Sequence, residues 1–306
     1  MNPTNQTTFH PVMQGRHFGG FAAVILLVLG AANFATAATT PYFQDFQGIA
    51  ASGPVPDFAA SVNGTAASST WNVVLNGANH LYENVLSGAA SSKGFSTMQF
   101  PALGTAVPAN NFEISTVVHG VSLNSASTIN YTVGIVFLGN VDVQSGTVDN
   151  LYVADFNLSS AGSGANSGRM RIVEWANTTT AAVFPSATQT SQPQVPNFSL
   201  SKSYLLDVKG TYDVSGNLTA VFTVSDVANA SDMNSYTFTD GPAGGNTSTV
   251  PRTGSYFGLY TSMGAGAGNS MTVDFDNFTV VPEPSSLALT ALGALSLAGL
   301  RRRILR

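Results

Sequence analysis

From Ala38 to Val281, apolar positions recur with a period of two and are broken by turns rich in Gly, Ser, Asn and Pro. Successive side chains of a strand point to opposite faces, so this spacing predicts strands. In WNVVLN, Trp71, Val73 and Leu75 share one face and Asn72 and Asn76 the other, which makes Trp71 a core residue. FEISTVVHG sets Phe112, Ile114, Thr116 and Val118 against Glu113, Ser115, Val117 and His119. YTVGIVFLG is apolar on both faces, as a central strand covered on each side should be. LYVADFNL, RMRIVEWAN, SYLLDVKG, NLTAVFTVSD, SYTFTD, YFGLYTS and TVDFDNFTVV continue the series. DVSGN (213–217) predicts a hairpin turn, and GAGAG (264–268) a flexible hairpin connection. No stretch of the body carries a sustained helical stripe. The predicted fold is all-β, a two-sheet antiparallel β-sandwich.

One strand breaks its own rule. In TVDFDNFTVV, Val273 and Phe275 face one way and Phe278 and Val280 the other. A bulge at Asp276–Asn277 reconciles them.

The two ends follow other patterns. Residues 1–37 read as a secretory signal peptide. Arg16 is its positive region, Phe18 to Ala32 its apolar run, and Ala35-Thr36-Ala37 its small-residue cleavage box. Met13 offers an alternative start that gives a leader of more usual length. Residues 38–281 form the sandwich domain and 282–306 a tail. In the tail, Leu287 to Leu300 mixes leucine with Ala, Gly, Ser and Thr ahead of an arginine cluster. As a helix rising ~1.5 Å per residue it is too short for a ~30 Å hydrocarbon core without local thinning. The arginines stay on the cytoplasmic side and the body outside, with the membrane a transient or permanent partner through this short hydrophobic helix.

Composition narrows the function. Only 9% of the 306 residues are charged and there is no cysteine. That excludes a disulfide framework and any thiolate metal site. Trimmed after Pro284, the body holds six basic residues (Lys93, Arg169, Arg171, Lys202, Lys209, Arg252) against sixteen acids, a net of 6 − 16 = −10. Nucleic acid is excluded as a partner.

Val281-Pro282-Glu283-Pro284-Ser285, the apolar run and Arg301, Arg302 and Arg303 together resemble the PEP-CTERM sorting signal of exported bacterial proteins. The resemblance implies signal peptidase and an exosortase-type enzyme as processing partners. It also implies a cell-surface or matrix location reached through the inner membrane, in biofilm-forming producers of exopolysaccharide. The body in turn resembles concanavalin A-like lectin/glucanase jelly rolls. YFQDF (42–46) matches their opening strand, and GLYTSMGAGAGNSMTVDFDNFTV their closing ones. That likeness implies a structural calcium where first and last strands meet, at Asp45, Asp274 and Asp276; bulge and turn hydrogen bonding is the competing role for these residues. It also implies glycan contact on a concave sheet. Trp175 shares a strand face with Arg169 and Arg171, so an indole can stack on a sugar ring while arginine holds its hydroxyls. The competing role for Trp175 is to plug the sandwich edge.

Catalytic chemistry finds little purchase. A retaining glycosidase needs two carboxylates about 5 Å apart, and the fold's glucanases carry them as Glu-x-Asp-x-x-Glu, which is absent. Glu83, Glu113 and Glu174 are isolated and read as solvated strand residues; the competing arrangement brings Glu113 and Glu174 together on the polar faces of neighbouring strands. His80 and His119 form no metal-spaced pair, and DVQSGTVDN (142–150) lacks a calcium loop's spacing. The sequons at Asn63, Asn157, Asn177 and Asn217 are expected by chance in so Asn-rich a chain. The sequence thus predicts a non-catalytic, lectin-like domain that binds or organises extracellular polysaccharide. The alternatives are a glycan-active enzyme on the same fold and a matrix protein without a specific ligand.

Overall fold

The computed structural model describes residues 41–53, 55–63, 67–88, 92–99, 111–124, 130–139, 151–158, 167–175, 182–183, 192–213, 215–240, 254–264 and 268–282. The expected signal peptide and C-terminal hydrophobic helix lie outside them. Among the described residues no helix is long and apolar enough to cross a membrane.

The strands, numbered in chain order, form two wholly antiparallel sheets. The first runs β13 (Met233–Asp240), β12 (Leu218–Asp226), β11 (Tyr204–Tyr212), β6 (Phe112–Asn124), β15 (Asn269–Pro282), β4 (Asn79–Gly88), β3 (Ala67–Asn76), with β1 (Tyr42–Gln44) beside β15. The second runs β10 (Ala182–Val183), β9 (Met170–Trp175), β8 (Leu151–Asn157), β7 (Tyr131–Gly139), β14 (Tyr256–Met263), β5 (Ser92–Gln99), β2 (Ala59–Asn63).

The alternation read from the sequence decides what the sheets bury. Phe112, Ile114, Thr116 and Val118 of β6 are buried and Glu113, Ser115, Val117 and His119 are not. The largely apolar β7 is buried at every position and lies mid-sheet. Trp71 is buried, stacked near Phe275 at 5.8 Å and tilted on Tyr82 at 5.2 Å. Leu75 shares its parity but stands at the strand end and is exposed.

The bulge in β15 is present. Asn277 adopts φ 54°, a left-handed conformation that asparagine tolerates, and the register against β6 shifts between Asp276 and Thr279. Val273, Phe275, Phe278 and Val280 therefore all enter one core. β1 closes beside this end, with Tyr42 opposite Val280 and Gln44 opposite Phe278.

The DVSGN turn joins β11 to β12. Asp213 Oδ1 accepts from the Ser215 and Asn217 amides, and Gly216 supplies φ 81°. GAGAG does not join a hairpin: β14 and β15, on either side of it, belong to different sheets. Polar contacts also bolt the sheets together. Asn84 of β4 donates to Ser69 Oγ and accepts from Thr261 Oγ1 of β14, and the Tyr82 hydroxyl meets Ser96 Oγ of β5 at 2.8 Å.

Candidate functional site on the outer face of the seven-stranded sheet

In the second sheet Met98, Ile135, Phe156, Met170, Ile172 and Leu259 point into the core. Alternation turns their neighbours outward, and the register lines those neighbours into rows. One row reads Phe95, Tyr260, Gly134, Asp155, Arg171, each directly opposite the next across β5, β14, β7, β8 and β9. Beside it runs Lys93, Ser262, Thr132, Asn157. On the other side runs Thr97, Gly258, Val136, Val153, Val173.

The face divides by polarity. Phe95, Val136, Leu151, Val153 and Tyr260 form a second buried cluster, separate from the core between the sheets. Lys93, Ser262, Asn157 and Arg171 keep partial exposure. Gly134 and Gly258 bring no side chain to the middle of the face, because a Cβ on either would lie 2.1 Å from a backbone oxygen of the adjoining strand.

At the β9 end of the first row, Arg171 donates from Nε to both carboxylate oxygens of Asp155, at 2.7 and 3.0 Å. The Asp155 side chain is only 4% exposed. Burial works against the Arg171 charge, but attraction and hydrogen bonding to Asp155 together outweigh it and raise its pKa. Burial, reinforced by the Asp155 carboxylate, also raises the Tyr260 phenol, so it stays protonated, with Ser262 and Thr132 beside its hydroxyl. Burial lowers the Lys93 ammonium.

Of the sequence-predicted contact residues, Arg171 is thus brought to a carboxylate and a phenol. Arg169 precedes it on the same strand line and bridges Gln194. Trp175 ends β9, its backbone opposite Leu151 and Ala182. Sequence reasoning misses Asp155, Tyr260 and Lys93. The one available signal is for Asp155, a lone acid in the otherwise apolar LYVADFNL.

Of the remaining candidate residues, Glu174 departs from its expected place. Glu174 is not solvated: it is fully buried on the core-facing side of β9 with Met170 and Ile172. Glu113 stands on the outer face of the first sheet, 3.3 Å from Lys209 Nζ. The two carboxylates therefore share no cleft. His119 Nδ1 lies 2.8 Å from Ser203 Oγ, and its Nε2 lies 3.8 Å from the Asp276 carboxylate. Asp45 accepts from the Gln47 amide and Asp276 from the Asn277 amide, which is turn and bulge bonding. Among the described residues no three His, Cys, Asp or Glu side chains gather as metal ligands. Pro282 is the last residue of β15. Glu283, Pro284, Arg301, Arg302, Arg303, Ala35 and Ala37 fall outside the described residues.

The first sheet's outer face carries apposed acids. Asp274 lies directly opposite Glu83, and burial with that neighbour lifts its carboxyl to about 6. Asp207 is lifted to about 7 by burial and then by Glu113, with Lys209 opposing. A carboxyl raised above its unfolded value stabilises the fold below that value and loses this contribution as pH rises through the folded pKa. The domain should therefore gain stability from pH 7.5 down to about pH 5. The gain is about 1 kcal/mol per carboxyl once solvent screening is allowed for. Thermal melts of Asp207→Asn and Asp274→Asn check this: each should remove part of the gain. Melts that keep the full pH dependence would overturn the assignment.

A family model described as the PEP-CTERM protein-sorting motif matches residues 280–303. Comparison with curated proteins gives no match. Among solved structures, lectin II from Ulex europaeus is similar at 9% identity over 80% of this chain and 99% of that one, TM-score 0.46. An endo-1,3-β-glucanase from Streptomyces sioyaensis is similar at 11% identity over 79% and 96%, TM-score 0.44. The PL-14 alginate lyase from Aplysia kurodai is similar at 11% identity over 71% and 87%, TM-score 0.40. The tail motif marks the chain for export and for attachment at the cell surface or in the extracellular matrix.

Proposed function

We propose that the mature protein holds extracellular polysaccharide along the outer face of its seven-stranded sheet, without catalysis, and that an exosortase-type enzyme removes its tail. The observation that carries this reading is the Asp155–Arg171 pair. A buried ion pair is often no more stabilising than apolar residues of the same volume. The neighbouring row has valines at the corresponding positions, Val153 and Val173, so the fold does not require charge there. What the pair supplies is an oriented, permanently charged guanidinium beside partly exposed Lys93, Ser262 and Asn157. Such a row suits hydroxyls and ring oxygens strung along a glycan.

Affinity electrophoresis in gels containing the producing cell's polysaccharide tests it. Arg171→Lys, which loses the planar fork, should weaken retardation by about tenfold, and Trp175→Ala should do likewise. Retardation unchanged in both would sink the reading.

The second reading is a glycan-active enzyme. On its side is the row that carries Tyr260, Asp155 and Arg171, in which both charges act on the phenol. Against it, the phenol is held protonated and so is no ready base. Release of new reducing or unsaturated ends from that polysaccharide, lost in Tyr260→Phe, would favour the enzyme.

A further inference from the structure

The sorting motif begins inside the folded sheet. Its match starts at residue 280, and β15 runs on to Pro282. Val280 pairs with Ile114 on one side and Tyr42 on the other, Val281 pairs with Glu113, and Pro282 with Phe112. No linker separates the last paired residue from Glu283.

We infer that the end of β15 gates its own processing: removal of the tail requires its last ladder residues to open. The inference rests on the reading of the tail as an enzyme substrate. Enzymes that bind a chain in extended form take its backbone hydrogen bonds for themselves. Here those bonds already serve β6 and β1. Val281 is partly exposed, and Pro282 has no N–H to give, so these two residues release at small cost. The next is different: Val280 is fully buried, with Phe278 behind it. Peeling past Val281 pulls a core side chain into water, which gives the opening a natural stop. The reaction is scission of a backbone amide. Its carbonyl passes to water or to a surface nucleophile, and the tail leaves as the amine, taking the proton that nucleophile loses.

The absence of cysteine supplies the test. Glu113→Cys with Val281→Cys places a unique pair on directly opposed positions of one outer face. In membranes of the producing cell, the oxidised full chain should be shortened about tenfold more slowly than the reduced chain, as locking a marginally stable strand end implies. A five-residue Gly-Ser spacer inserted after Pro282 should be cut faster than wild type, and it tests the same point should the cysteine pair disturb folding. Equal rates for oxidised, reduced and spacer chains, all shortened, would overturn the gate but leave tail processing intact. If none is ever shortened, both the gate and the processing reading fall.

Discussion

Gly258→Ala is expected to cost the fold about 3 kcal/mol or more, the upper range of overpacking effects. The new Cβ would lie 2.1 Å from the Ser96 carbonyl oxygen and 2.6 Å from Thr97 Cα, both backbone atoms of β5. No rotamer relieves that contact, so β14 and β5 must part. Gly134→Ala repeats the experiment one strand over, against the Ala154 carbonyl at 2.1 Å. Gly48→Ala is the control, since nothing lies within 4 Å of its Cβ position, and it should stay within about 0.5 kcal/mol of wild type. Urea denaturation of the three proteins decides the matter. Equal midpoints would mean that the strands of the outer face are not so tightly drawn together.

Phe278→Ala should be of similar size, about 3–5 kcal/mol. Phe278 is fully buried, with the Phe58 ring at 5.2 Å and the Tyr42 ring at 6.5 Å. It reaches that position only because Asn277 turns the strand over. The loss should also free β1, whose three residues pair with Phe278, Thr279 and Val280. Amide exchange at Tyr42 to Gln44 should then approach that of open chain. Phe43→Ala, at a side chain 58% exposed, should change little. A Phe278→Ala protein as stable as Phe43→Ala would place Phe278 outside the core and remove the case for the bulge.

These two cases show what is legible in the sequence. The broken parity of TVDFDNFTVV can be satisfied in only one way, so the bulge is readable from the residues alone. β6, β7 and β12 are readable because burial follows simple alternation or fills the whole strand. β4 and β5 carry no such signal. Their inward positions include Asn84, Ser92 and Ser96, all buried. Polar groups of this kind are satisfied across the sandwich by partners distant in sequence, as Asn84 is by Thr261. Alternation scored by hydrophobicity cannot see such a position. Glu174 misleads for the same reason: a glutamate on a strand reads as solvated, yet this one faces the core. At the site, spacing places Arg169, Arg171 and Trp175 on one strand but cannot supply Asp155 or Tyr260. Those arrive through pairing among β8, β7 and β14, strands separated by long connections. The hairpin reading of GAGAG fails because local sequence does not say whether a glycine-rich connection stays within a sheet or crosses to the other.

If an oriented guanidinium on the outer face of the seven-stranded sheet holds polysaccharide, its removal must weaken binding without weakening the fold. Calorimetric titration of the mature protein with polysaccharide from the producing cell, beside Asp155→Val/Arg171→Met, measures this. Removing both charges together takes the Asp155–Arg171 pair out as a unit, and the variant should keep its fold. This variant should bind at least about tenfold more weakly, the loss expected when charge-assisted hydrogen bonds vanish. A variant that folds and binds as well as wild type would refute the role given to Arg171 and send the search for a ligand to another face of the sandwich.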